Sequence, residues 1–93
     1  MKQREQITRG RLRAKINIEP IEDGRVCIFC PTQVSDRLYQ HLAAKHISSL
    51  PPKHAIFGIY SEVIVMLSEE EASVEVGEFV GSLPEVCYEQ DVE

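Results

Sequence analysis

Apolar and polar residues alternate from about residue 12 onward, with Leu12, Ala14, Ile16 and Ile18 set against Arg11, Arg13, Lys15 and Asn17. A period of two predicts a half-buried strand over residues 12–22. Pro20 has no amide to give to a ladder, so it places the end of that strand at an edge or a bulge. Asp23 and Gly24 tolerate the positive φ of a tight hairpin turn, and Arg25 to Phe29 then predict the returning strand. Ser35 is the expected N-cap of a helix over SDRLYQHLAAKH, in which Leu38, His41, Leu42 and Lys45 recur at three- and four-residue spacings. Ile47-Ser48-Ser49 and the Pro51-Pro52 pair end it, because the residue before a proline is pushed out of the helical region.

The C-terminal half carries two further patterns. Ala55, Ile56, Ile59, Tyr60, Val63, Ile64 and Leu67 trace a helical stripe that Pro52 can open. FGIYSEVIVML is also rich in β-branched and aromatic residues, which equally suit a buried strand; the helix is slightly preferred. Ser68 with Glu71 has the form of a capping box. Behind it Ala72, Val76, Phe79, Val80 and Leu83 recur at helical spacing up to Pro84. No internal repeat is present.

Charge is distributed unevenly over these elements. Residues 1–15 hold Lys2, Arg4, Arg9, Arg11, Arg13 and Lys15 against Glu5 alone, whereas residues 61–93 hold ten carboxylates and no lysine or arginine. The formal net charge of −5 is therefore a basic head averaged with an acidic tail. That asymmetry suits a nucleic-acid-binding arm beside an acidic region, and equally a solvated surface. The first dozen residues are polar and without periodicity, so the arm is expected to be flexible. No stretch is long and apolar enough to serve as a signal peptide or to span a bilayer. An intracellular protein of cytoplasm or nucleus, neither secreted nor membrane-bound, is the expectation.

The candidate chemistry is concentrated in VCIFCPTQVSDRLYQHLAAKH. Cys27 and Cys30 are separated by two residues and His41 and His46 by four, with ten residues between the pairs. This order suits one structural zinc ion, because a CxxC turn presents two thiolates to one point and a following helix presents two imidazoles. His41 and His46 lie about 140° apart on an ideal helix, so the last turn has to loosen or tighten for both to reach the metal. At 93 residues the core is small, and a metal cross-link is a common remedy for marginal stability. His54 and Cys87 are spare ligands. A catalytic zinc keeps a position open beside a general base; here four ligands fill the shell and no glutamate lies within the motif, so no enzyme is expected.

Residues 25–48 resemble a single CCHH zinc finger in the CxxC, in Leu38 three residues before the first histidine, and in the histidine pair. They depart from that family in three ways. The family usually has twelve residues between its pairs, an aromatic two before the first cysteine (here Arg25), and a central phenylalanine where this chain has Thr32. The resemblance implies a ββα fold and a helix that enters the major groove, with Arg37 placed to reach a guanine edge and Gln40 an adenine. One finger binds weakly, so Arg9, Arg11 and Arg13 are the expected phosphate contacts.

The combined expectation is a small α+β, zinc-stapled ββα-type protein. It has a flexible basic arm over 1–14, a hairpin plus finger over 15–48, and an acidic, largely helical extension over 49–93. Its expected role is a DNA-binding transcriptional regulator. The alternative is a zinc-stabilised protein–protein interaction module without DNA contact, in which the stripe over 55–67 forms a partner or homodimer surface. No small-molecule substrate is implied.

Overall fold

A computed structural model describes residues 9–55 and 58–83. The fold is α+β: the described residues form a four-stranded antiparallel sheet with three helices. In chain order the elements are α1 (Arg9–Ala14), β1 (Asn17–Ile21), β2 (Arg25–Pro31), α2 (Thr32–Ala44), β3 (Lys53–Ala55), β4 (Tyr60–Val65) and α3 (Glu69–Ser82). The strands lie in the order β1-β2-β4-β3. β2 and β4 are thus the inner pair, with Ile28 opposite Val63 and Val26 opposite Val65.

The hairpin forms as the turn chemistry dictates. Asp23 and Gly24 adopt φ of 65° and 69° within the three-residue turn that joins the paired Ile21 and Arg25, positive values that aspartate and glycine tolerate. β1 is an edge strand, which is where Pro20 can sit without breaking a ladder. The capping box also forms: Glu71 N–H donates to Ser68 Oγ at 3.1 Å, and Ser68 N–H donates to Glu71 Oε1 at 3.0 Å. Three glutamates in the first turn of α3 complement its amino-terminal dipole.

Four expectations are corrected. Residues 9–14 form a helix rather than a flexible arm or a strand. Leu12 is buried against the core, and the Arg13 guanidinium lies over α3 at Gly77. Residues 1–8 of the expected arm, like 56–57 and 84–93, lie outside the described residues. α2 begins at Thr32, with Pro31 at its N-cap, so Ser35 is an interior residue whose buried hydroxyl donates to the Thr32 carbonyl at 2.9 Å. The stripe over 55–67 is not a helix, because Tyr60–Val65 is the inner strand β4. Its Ser61, Val63 and Val65 are buried while Glu62 and Ile64 are half-buried, the period of two that a sheet imposes.

One face of the sheet carries the core. Val26, Ile28 and Cys30 of β2 and Val63 and Val65 of β4 pack with Val34, Leu38 and Leu42 of α2. Ala72, Val76, Phe79, Val80 and Leu83 of α3 and its C-cap complete the cluster. The helical spacing of those five residues is therefore the buried stripe it predicts. Ile28 and Leu38 have no exposed surface at all. Ile28→Ala is expected to cost about 2–5 kcal/mol in chemical denaturation. Ser68→Ala, which removes a cap at the surface, is expected to cost about 1 kcal/mol.

Candidate metal centre and interaction face

Cys27 and Cys30 both lie within β2, three residues apart on a paired strand. An odd separation on a strand sends two side chains to opposite faces. Cys30 points into the core, flanked by Ile28 and opposite Ser61, and is fully buried. Cys27 belongs to the other face, between Glu19 of β1 and Ile64 of β4, with 6% of its surface exposed. No knuckle turn forms, because residues 25–31 are held in register by strands on both sides.

The two thiols are protonated at neutral pH. Burial pushes the Cys30 thiol up to about 12, with the Cys27 charge adding to it. Burial pushes the Cys27 thiol up to about 11, helped by the carboxylates of Glu62 and Glu19. Metal-binding and nucleophilic cysteines need the opposite shift. Both are free thiols.

The histidines are equally separated in role. His41, in the third turn of α2, lies against α3, its ring edge-on to Phe79 at 5.5 Å. His46 is beyond the helix, with φ of 61°. Its N–H donates to the Ala43 carbonyl at 2.9 Å and the Ile47 N–H donates to the Leu42 carbonyl at 3.0 Å. These two bonds make a Schellman closure, in which His46 takes the left-handed position usually given to glycine and Ile47 packs back on the core. His46 is exposed and is placed by the end of the helix. The expected four-ligand set Cys27, Cys30, His41 and His46 is therefore not assembled, and these residues as folded do not fit one zinc ion.

Among the described residues, the group of three or more potential metal ligands that does converge is His41, Glu75 and Glu78, whose ligand atoms lie within 4.8 Å of one another. Sequence spacing did not reveal it, since it joins two helices distant in sequence. The signal present is only that Glu75 and Glu78 stand one helical turn apart on α3. His41 Nε2 is 3.6 Å from Glu75 Oε1. Lys45, one turn after His41, donates to Glu75 Oε1 at 2.9 Å and also bonds Glu78. These bonds raise the Lys45 ammonium above its ordinary range and lower the Glu78 carboxyl.

The residues expected to touch DNA are mostly at the surface. Arg11 and Arg13 are exposed on α1 and Arg37 and Gln40 on α2, while Arg9 is half-buried. The sheet face opposite the helices is different in kind. By register, Leu50, Ile64, Cys27 and Glu19 form one row across it, and Lys53, Glu62, Phe29 and Asn17 form another. Ser48, Leu50, Ile64, Met66 and Arg25 line a cavity of about 150 Å³ on this face. Leu50 and Met66 are half exposed, at 52% and 51%. Neither Phe29 nor Ile64 belongs to the core cluster.

Comparison with protein-family models, with curated proteins and with solved structures gives no match to this chain. Among the described residues, no helix is long and apolar enough to cross a membrane.

Three measurements check this geometry. His46→Gly relieves a left-handed side-chain conformation and is expected to raise stability by about 0.5 kcal/mol, after the entropic cost of a glycine; loss of folding would restore His46 as a ligand. In a Cys87→Ser background, Cys27 and Cys30 are expected to resist iodoacetamide until the chain is unfolded. Because folding raises both thiol pKa values above the ordinary 9.0, their contribution is complete below pH 9. Stability is then lost as pH rises through about 11 and about 12. Thermal melts across that range should show a steady fall.

Proposed function

We propose that this protein is a protein-interaction module whose working surface is the helix-free face of its sheet, and that the occupant of that face is a second copy of the chain. The observation that carries the reading is the row of Leu50, Ile64 and Cys27 with Met66 and Phe29 beside it, an apolar band on a face that contributes nothing to the core cluster. An antiparallel sheet tolerates water on one face when that face is polar. Here the centre is apolar, as sheets that pack against another sheet have it.

Charge favours a second copy over an unrelated acidic or basic partner. The chain as a whole is at −5, and α3 alone carries Glu69, Glu70, Glu71, Glu75 and Glu78, so most approaches of two copies are repulsive. On the sheet face, Glu19 and Glu62 are balanced by Arg25 and Lys53. Two such faces related by a two-fold axis can oppose carboxylates to cations while closing the apolar band. The size of the face sets the strength. Four strands about 4.8 Å apart, three to seven residues long, present a patch of roughly 20 Å by 20 Å. That is at the low end for a stable interface, so micromolar rather than nanomolar affinity follows.

A second reading, DNA contact, is supported by the exposure of Arg37 and Gln40 on α2 and of Arg11 and Arg13 on α1. It is opposed by the five glutamates of α3, which packs against both of those helices.

Sedimentation equilibrium of the full chain is expected to show a monomer–dimer equilibrium in the micromolar range. Ile64→Lys with Met66→Lys should shift it to monomer without altering the far-UV spectrum. A wild-type chain that stays monomeric at millimolar concentration overturns the reading. Fluorescence anisotropy with duplex DNA at two salt concentrations separates the alternative: salt-dependent binding, weakened by Arg37→Ala and Arg13→Ala, would favour DNA contact.

A further inference from the structure

We infer that His41, Glu75 and Glu78 form a binding site for a divalent transition-metal ion between α2 and α3, and that Lys45 fills it as an exchangeable internal cation. The inference is independent of the sheet face, which lies on the other side of the molecule from the helices.

Three observations lead to it. First, the ligand atoms already converge: one imidazole nitrogen and two carboxylates lie within 4.8 Å of one another. Ligands about a tetrahedral zinc at its ordinary bond lengths stand about 3.4 Å apart, so closure draws these atoms in by about an ångström. Second, His41 Nε2 is buried and has no hydrogen-bond partner, although Glu75 Oε1 is only 3.6 Å away. A buried polar atom without a partner is costly, and a metal ion bound between nitrogen and carboxylate removes that cost. The ring lies edge-on to Phe79 at 5.5 Å. Third, the two carboxylates already hold a cation. The Lys45 ammonium bridges Glu75 and Glu78, showing that the local field attracts positive charge to this position.

Lys45 bonds the two carboxylates and not His41, whose buried Nε2 is left without a partner. A divalent ion satisfies all three groups. Neutral imidazole with two carboxylates balances a charge of +2, whereas Lys45 leaves the trio one charge negative. The side chain of Lys45 is 40% exposed and Glu78 52%, so the ammonium can leave to solvent without crossing the core. One nitrogen and two oxygens suit zinc, cobalt or nickel better than calcium or magnesium. The helices supply the ligands at stable spacings: His41 and Lys45 are one turn apart on α2, and Glu75 and Glu78 are one turn apart on α3.

The test is a titration of the metal-free full chain with Co²⁺ and with Zn²⁺, followed by visible absorption and calorimetry. The expected result is one ion bound per chain, with no thiolate-to-cobalt band in the near ultraviolet. Glu75→Gln and His41→Ala should each weaken binding by about tenfold or more, and Lys45→Met should tighten it by a comparable factor. Cys27→Ser with Cys30→Ser should leave it unchanged. Glu78→Gln, at an exposed position, provides a ligand variant whose folding is not in question. The inference is overturned by absence of binding at millimolar metal, by a thiolate band that vanishes in the cysteine variant, or by binding indifferent to Glu75, Glu78 and Lys45.

Discussion

The double pairing of β2 governs the rest of this molecule. Residues 25–31 are bonded to β1 on one side and to β4 on the other, so their side chains must alternate strictly between two faces. Val26, Ile28 and Cys30 therefore go to the helices, and Cys27 and Phe29 go to the opposite face. A CxxC that would serve a metal in a tight turn is pulled straight and its thiols are sent apart. The same pairing gives α2 its starting point, because the strand ends at Pro31, whose fixed φ leads directly into the helix at Thr32. The Thr32 hydroxyl then meets that of Ser61 at 2.9 Å, tying the start of α2 back to the inner strand β4.

The layer of helices follows from that face. Val34, Leu38 and Leu42 fall at helical spacing and cover Ile28 and Val63, and α3 lies beside α2 with Ala72, Val76 and Phe79 turned the same way. Small residues matter here: Ala72 is fully buried, and Ser35 and Ser61 fill places where a larger side chain would force the helices away from the sheet. Once α3 is docked by its apolar stripe, its next face carries Glu75 and Glu78 to His41 and Lys45. The polar cluster is a consequence of the packing and lies at its rim.

What the sequence made legible was whatever depends on neighbours in the chain. The Asp23-Gly24 turn, the Ser68–Glu71 box and the buried stripe of α3 are local, and each formed. The edge position of Pro20 is local too. What it did not make legible depends on partners far away. FGIYSEVIVML matches a helical stripe as well as a strand, and only the row Val26, Ile28, Cys30 opposite Val65, Val63, Ser61 decides between them. Leu12 fits the alternation of the following residues, yet residues 9–14 form a helix that packs on α3. The cysteine and histidine pairs are close in sequence, yet closeness in sequence does not bring side chains together once a strand and a helix end have fixed their directions.

His46 makes that last point most sharply. It stands five residues after His41 and so looks like the second imidazole of a pair. Its backbone is instead the left-handed residue that lets Ile47 fold back over Leu42 and satisfy the last carbonyls of α2. A position with that conformational demand has a structural task that any ligand role would have to share, and glycine would perform the task better. His41 is the reverse case. It has no part in ending the helix, sits where two helices touch, and is left with a buried nitrogen facing carboxylates. Of the four residues that mark the motif in sequence, two became parts of a strand and one became a helix terminus, while His41 keeps a buried, unpartnered nitrogen beside two carboxylates.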